Sequence, residues 1–460
     1  MAAQKHTYEI DMCSGAILPK LLRFSIPLMA SSVLQLLFNA ADIAVVGRFA
    51  GDNSLAAVGS NSAIINLLVN VFIGMSVGAN ILAARCCGAN QKEELRETVH
   101  TAMLLGLIGG IFLAILGSCC AGTFLTWMQT PPEVLPLATL YLRIYFLGMP
   151  AMLVYNFGAA LLRAVGDTQR PLYYLFSAGV INVALNLLFV IVFHMDVAGV
   201  ALATIISQFV SASLVVRCMV RDTGSIHLDL RQLRIYPRHL KQILRIGLPT
   251  GLQGVLFSLS NVLIQSSVNG FGETIVAGSA AASNLDGFVY ISMNAFYQGT
   301  VSFTSQNYGA GKYERVCPIL LQAMGCVILT GLIMGGGAVL FSTPLLGIYS
   351  DSPAVIAAGA ERLRIVCLPY FLCGMMEIVC GAIRGLGYSI LPTVVTLLGA
   401  CGLRIVWLAT VFQIPEYHTV RTIYLSYPIT WIVTILAHTV CFLWVFRRLK
   451  RGRASGLPAS

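Results

Sequence analysis

The chain has 460 residues, of which 57% are hydrophobic and 10% charged. That balance describes a polytopic membrane protein and excludes a soluble enzyme built around one core. A formal charge of +10 would suit a nucleic-acid partner, but its distribution follows the positive-inside rule instead, so no nucleic acid is expected.

The first twenty residues carry Lys5, Glu9, Asp11 and Lys20 and no apolar run, so no cleavable signal peptide is expected. Apolar spans follow at 22–47, 55–83, 100–126, 134–160, 171–193, 197–219, 243–268, 275–303, 317–341, 354–381, 390–413 and 422–446. The fold class is therefore an all-α membrane protein of twelve transmembrane helices, with both termini on one side. Lys5, Lys20 and Arg23, then Arg85, Lys92 and Arg96, then Arg163 and Arg170 fall on the same set of connections. So do the seven arginines and lysines of 217–245, Lys312, Arg315, Arg384 and the tail residues Arg447 to Arg453. This basic side is expected to face the cytoplasm, which makes the protein multi-pass in the inner (plasma) membrane. The thirteen cysteines sit mostly inside apolar runs and are read as small apolar residues; Cys13 and Cys86-Cys87 lack the spacing of a metal site.

The first span organises the rest. Between Pro27 and Gly47 its one charge is Asp42, and a carboxylate near the middle of a membrane helix costs about 2.5–3.5 kcal/mol on insertion scales. Ser31, Gln35, Asn39 and Asp42 follow one another at spacings that put them on one helical face, opposite a face of Leu, Val, Ile and Phe. Intramembrane carboxylates mark ion or proton pathways by default; the competing reading is a neutral, hydrogen-bonded packing residue. Pro27 lies just below the polar stripe, where it frees a backbone carbonyl and permits a bend, and it is the candidate hinge.

Six residues separate Asp42 from Arg48 at the outer end, while Asn186 and Thr204 each lie eight residues from the loop around His194 and Asp196. At the helical rise, all three sit roughly 9–12 Å below the outer surface. Asn182 is one turn below Asn186, and Gln208 one turn below Thr204. One carboxylate, two amides and a hydroxyl can make an oxygen-rich cage suited to a proton or a hard monovalent cation such as Na⁺, and to no soft metal. A purely structural hydrogen-bond network is the alternative.

The chain repeats itself. Arg23-Phe-Ser-Ile-Pro27 matches Arg245-Ile-Gly-Leu-Pro249, Gly88-Ala89 matches Gly309-Ala310, Leu142-Arg143-Ile144 matches Leu363-Arg364-Ile365, and Arg163, Gly166 and Pro171 match Arg384, Gly387 and Pro392. The expected domains are a six-helix lobe at 1–216, a basic cytoplasmic linker at 217–245 and a second six-helix lobe at 246–460 with a basic tail. Six is even, so the lobes share an orientation, and a pseudo-twofold axis along the membrane normal with the substrate path at their interface follows. Arg143 and Arg364 are read as snorkelling anchors, and the glycine run Gly335-Gly336-Gly337 as close packing.

The second half offers Asn261, Gln265 and Asn269 on one face of its first helix, Asp286 on the next, Glu377 at the repeat position of Asn156, and Arg404. Depth makes an Asp286–Arg404 pair possible. With Gln35, Asn39, Asn156 and Gln208, the residues Asn261, Gln265, Asp286, Glu377 and Arg404 are the substrate-cavity candidates. Glu377 can neutralise a cationic compound or bond to its neighbours; both readings stand.

Asp42-Ile-Ala-Val-Val-Gly-Arg48, the Gly-Ala pairs at 88 and 309, the Leu162-Arg163-Ala-Val-Gly166-Asp167 and Ile383-Arg384-Gly-Leu-Gly387 turns, Asn182-Val-Ala-Leu-Asn186 and Val197-Ala-Gly-Val-Ala-Leu-Ala-Thr204 together resemble the multidrug and toxic compound extrusion (MATE) family, of bacterial DinF-like type, over the whole chain. The resemblance implies a secondary exporter of cationic amphipathic small molecules, driven by inward H⁺ or Na⁺, with no cofactor. It also implies a cation site at Asp42, Asn182, Asn186 and Thr204. Asn186 departs from the family pattern, which more often has aspartate there, so the cage keeps one formal charge; a proton can neutralise it fully, which leans the expectation to H⁺ with Na⁺ as the alternative. A lipid-linked saccharide flippase of the same superfamily is the competing function. By resemblance it would carry a strongly cationic cavity, whereas the inward-facing candidates here are mostly Asn, Gln, Asp and Glu. No Walker A sequence or nucleophile-bearing motif is present, so no enzyme is expected. The expected partners are cationic small molecules and the lipid bilayer, with the protein a monomer.

Overall fold

The computed structural model describes residues 8–224 and 226–454, and every regular element among them is helical. Lys5, counted above on the basic side, and the last residues of the tail lie outside that range. The helices of the first half are α1 (Ile17–Phe49), α2 (Asp52–Gly88), α3 (Lys92–Trp127), α4 (Leu135–Leu147 and Met149–Ala164), α5 (Gln169–Val192) and α6 (Asp196–Arg221). Those of the second are α7 (Pro237–Asn269), α8 (Glu273–Gly309), α9 (Tyr313–Leu340), α10 (Pro353–Gly385), α11 (Ile390–Gln413) and α12 (Val420–Ala454).

Ten of these are long and apolar enough to cross a bilayer alone, and the two segments of α4, bent by 47°, make an eleventh span. The twelfth is α8. Its 37 residues are ample, but Ser279, Asp286, Ser292, Thr300 and Gln306 dilute its hydropathy. All five are buried, so α8 meets protein rather than lipid and needs no apolar surface. Two expected spans are not straight. α4 breaks between Leu147 and Met149, at Gly148 and Pro150, and α10 passes through a π turn at Leu363–Cys367 and a 3₁₀ turn at Leu368–Tyr370, where Pro369 leaves helical geometry. Proline removes a backbone donor and crowds the preceding turn, and the widened turns absorb that.

The internal repeat is visible in the backbone itself. Gly51 and Gly272 have φ of 88° and 89° ahead of α2 and α8, Gly166 and Gly387 have 93° and 90° after α4 and α10, and Asn90 and Gly311 have 55° and 70° after α2 and α8. Each pair shares one repeat position. Left-handed backbone is the conformation that glycine, and next to it asparagine, adopts at least cost.

Two compact units emerge. The first consists of Met1–Asp11 and Ala30–Leu252, the second of Met12–Met29 and Gln253–Ser460. The packing divides both α1 and α7 between the two units. The inner segment of α7 belongs to the first unit. There Gly247 and Gly251 cross Gly74 and Gly78 of α2 so closely that a Cβ on Gly251 would lie 2.6 Å from the Val71 carbonyl oxygen. Small residues spaced by four are what allow such an approach. At its start His239 sits between Glu94 and Glu97 of α3, at 2.9 and 3.3 Å. The linker is anchored on the same helix: Asp229 N–H donates to His100 Nε2 at 3.2 Å and Tyr236 N–H to Thr101 Oγ1 at 3.1 Å.

The inner segment of α1 belongs to the second unit. Phe24 meets Phe303 of α8 edge to face at 5.7 Å, Ser25 Oγ donates to the Ala295 carbonyl at 3.5 Å, and Asn307 Nδ2 donates to the Met12 carbonyl at 3.0 Å. Pro27 and Pro249 both lie within four residues of the point where their helix changes unit. Among the described residues none of the thirteen cysteines forms a disulfide. Arg143 and Arg364 are exposed. Of the glycine run, Gly335 packs on the Cys367 carbonyl while Gly336 and Gly337 have open space beside them.

Candidate functional site

In the first unit, α1 is drawn onto α5 by a glycine. A Cβ on Gly179 would overlap the ring of Phe38, so only glycine lets that ring lie flat on α5. Asp42 is one turn beyond Phe38, and Asn182 and Asn186 are one and two turns beyond Gly179. The two helices therefore bring carboxylate and amides together. Asn186 Nδ2 donates to Asp42 Oδ1, and also reaches Asn182 Oδ1 at 3.3 Å. Asn182 Nδ2 points on to Thr204 Oγ1 of α6 at 3.4 Å. The hydroxyl of Thr204 donates to the Val200 carbonyl at 2.9 Å, which turns its lone pairs toward the asparagine.

Four residues from α1, α5 and α6 thus form one chain, Asp42–Asn186–Asn182–Thr204. Asn182 and Asn186 are buried and Asp42 is half-buried. Among the described residues Asn186 Oδ1 has no donor. The oxygens gathered here are a carboxylate, two amide carbonyls and a hydroxyl, hard ligands that suit H⁺ or Na⁺. Among the described residues no group of three His, Cys, Asp or Glu comes together as a transition-metal site would require.

Two tyrosines missed in the sequence belong to this surrounding. Tyr141 and Tyr145 of α4 stack at 5.8 Å, and both are close enough to Asp42 to interact with it electrostatically. Their spacing of four in Tyr141-Leu-Arg-Ile-Tyr145 is the helical-face signal that places them together. Gln208 lies against Gly148 at the break in α4. Gln35 and Asn39 are exposed on α1, beside the chain and not in it. Asn156 turns back to donate to the Met152 carbonyl at 3.0 Å.

In the second unit the candidates do not converge. Asn261 is exposed, and Gln265 Nε2 donates to Asn269 Oδ1 at 3.0 Å along α7. Asp286 does not pair with Arg404. It accepts from Arg362 of α10, with Nη2 at 3.1 Å, and Arg362 Nη1 donates to Ser279 Oγ at 2.8 Å. Arg362 is buried beside Asp286, and its guanidinium also covers the Tyr424 ring at 5.6 Å. Arg384 is held by Tyr297 and Gln253, each at 2.6 Å, with Glu377 within electrostatic reach. Arg404 is buried among aromatic rings and donates through Nε to Thr430 Oγ1 at 3.2 Å.

Comparison with known proteins adds four findings. The sequence model of the MatE family matches residues 27–188 and again residues 249–410, one match for each half of the repeat. A Bacillus subtilis protein described as "Probable multidrug resistance protein YoeA" is 27% identical over 426 residues, covering 90% of each chain. Another from the same organism, "Probable multidrug resistance protein YpnP", is 26% identical and covers 86% of this chain and 88% of its own. Among solved structures, an outward-facing multidrug resistance MATE transporter of the MOP superfamily has the same fold, with a TM-score of 0.89, 23% identity and coverage of 98% of this chain and 100% of its own.

Proposed function

The chain belongs to the MatE family, whose relatives similar to it are multidrug resistance transporters and not enzymes, and from that premise we propose that it exports cationic amphipathic small molecules in exchange for an inward cation. The observation that carries this reading is the Asp42–Asn186–Asn182–Thr204 chain. A lone carboxylate kept inside a membrane helix, with hard oxygen ligands arranged around it, is what a coupling site for H⁺ or Na⁺ needs.

Charge bears on which ion is coupled. With Asn at 186, one negative charge remains, and one proton cancels it; Na⁺ would leave the amide oxygens to complete its shell. We favour H⁺ on that ground. Binding of the cation removes the electrostatic reason for Asp42 to stay hydrated. The polar face of α1 then packs more closely on α5 and α6, and the ion can drive this only as far as its affinity differs between the two arrangements. Export proceeds by alternating access, with α1 bending at Pro27, where its inner and outer segments part company.

The cytoplasmic placement of both termini and a monomeric state belong to the same proposal. In the second unit Arg362 is paired with Asp286, and Glu377 acts on Arg384 through space. That tempers the strongly cationic lining a lipid-linked saccharide flippase calls for. The test is efflux of a fluorescent cationic dye from proteoliposomes, with pH and Na⁺ gradients imposed separately. Export driven by neither gradient would contradict the reading. Export that persists with the pH gradient collapsed and a Na⁺ gradient in place would reassign the ion.

A further inference from the structure

Among the described residues of the second unit three arginines are buried, Arg362, Arg384 and Arg404, with two acids near them. Asp286 pairs with Arg362, and Glu377 acts on Arg384 only through space. Arg404 is left over. Of its five N–H donors only Nε is used, toward Thr430 Oγ1 at 3.2 Å, and that hydroxyl is itself committed to the Ser426 carbonyl at 2.7 Å. Nη1 and Nη2 have no acceptor among the described residues, and Arg404 is 0% exposed. A second buried donor in the same cluster, Trp431 Nε1, likewise has none.

Aromatic rings hold the guanidinium in place. Its carbon lies 4.2 Å from the centre of the Tyr427 ring, 5.6 Å from Phe257 and 5.8 Å from Trp431. These contacts engage the π faces and offset part of the cost of burial, but they leave the N–H edge, which lies in the guanidinium plane, free to donate. A planar fork of N–H groups fixed by its faces matches a carboxylate or a phosphate oxygen pair. Tyr427 and Phe257, which cover its faces, are only partly buried.

We propose that Arg404, with Trp431, is an oxyanion subsite that takes the carboxylate or phosphate group of an aromatic compound handled by this transporter. The ligand class extends the cationic substrates proposed above to zwitterionic and anionic aromatics, and so rests on the transporter reading. Depth argues against a phospholipid headgroup. Arg404 lies far inside α11, which ends at Gln413, and at the helical rise this places it roughly 14 Å from that end, near the middle of a bilayer.

Equilibrium binding of radiolabelled phenyl phosphate to the full-length protein in phosphatidylcholine nanodiscs tests the proposal, with benzoate and benzyl alcohol as competitors and phosphatidylglycerol discs as a second arm. Saturable binding is expected, displaced by benzoate, indifferent to benzyl alcohol and unchanged by anionic lipid. Arg404→Gln should weaken it about tenfold or more and Arg404→Lys less, because the charge stays while the fork is lost. Trp431→Phe, which keeps the ring and removes only the N–H, should weaken it severalfold and covers the case in which Arg404→Gln does not fold. Absence of saturable binding, equal binding in wild type, Arg404→Gln and Trp431→Phe, or displacement by phosphatidylglycerol alone would overturn the proposal. Nothing is transported in this assay, so its failure leaves the ion-coupling account standing, and a failure of coupling leaves the subsite standing.

Discussion

Asp286 and Arg362 show how neighbours, rather than depth, decide a buried pair. Asp286 and Arg404 sit at similar depths, which made their pairing plausible from the sequence, but Arg362 lies at a comparable remove from the start of its own helix. What separates them is the packing of α10 on α8, and helical periodicity cannot report which face of a neighbouring helix a residue meets. Removing one partner of a buried pair strands the other charge, at about 3–5 kcal/mol. Arg362→Met should therefore lower the melting temperature of the detergent-solubilised protein markedly. The double substitution Arg362→Met with Asp286→Leu should recover most of the loss; a double variant no more stable than the single one would contradict a paired-charge account.

At the proposed cation site the legible part was the set of residues sharing a depth, because Asp42, Asn186 and Thr204 could each be measured from the same outer loops. Their order was not legible. Asn186 stands between Asp42 and Asn182, so it is the position from which a second acid would act on Asp42 directly. Asn186→Asp should place two negative charges side by side and raise the demand for a cation. Na⁺-dependent stabilisation, absent or weak in the wild type, is expected to appear in thermal melts of this variant at neutral pH. Melts that respond to Na⁺ equally in both proteins would sink the idea.

At the scale of elements, α1 and α7 are the informative pair. Repeated prolines at 27 and 249 were visible in the sequence as bends, but the exchange of inner segments between units was not. Hydrophobic pattern says that a stretch is helical and which face is apolar; it carries no record of which bundle that face joins. The two crossings differ in kind. α7 crosses α2 through glycines on both helices, whereas the equivalent place on α1 carries Ser25 and Phe24 packed on Gly299.

A branched side chain at Gly251 has no room beside Val71, and Gly251→Val should destabilise by about 1–3 kcal/mol, the usual cost of overpacking. It should be seen as a lower melting temperature with little change in the spectrum of helix content. Pro27→Ala restores the missing backbone donor of α1 and straightens the helix. It should slow dye export severalfold while leaving the melting temperature equal to or above wild type. Faster export from that variant would argue that bending at Pro27 plays no part.

For the whole molecule, the repeat supplied most of the architecture before any coordinate. The paired left-handed residues, Gly51 with Gly272 and Gly166 with Gly387, are the physical form of the matches first read as identical letters, because those turns can be closed at low cost by few residue types. What the repeat hid is the divergence of its halves. The first unit concentrates oxygen ligands around one acid, and the second distributes three arginines over two acids and an aromatic cluster. The repeat positions themselves give no hint of this, since Asn156 matches Glu377 and yet folds back on its own helix.

The central claim is that Asp42 couples export to an inward cation. It is tested most directly by dye efflux from proteoliposomes holding wild type or Asp42→Asn at equal density, under an imposed pH gradient. Asn is nearly isosteric and can still bond to Asn186, so the variant should reconstitute as a folded protein with an unchanged melting profile. The account predicts gradient-driven export from the wild type and none above the protein-free background from Asp42→Asn, under pH or Na⁺ gradients alike. Export by Asp42→Asn at the wild-type rate would contradict it.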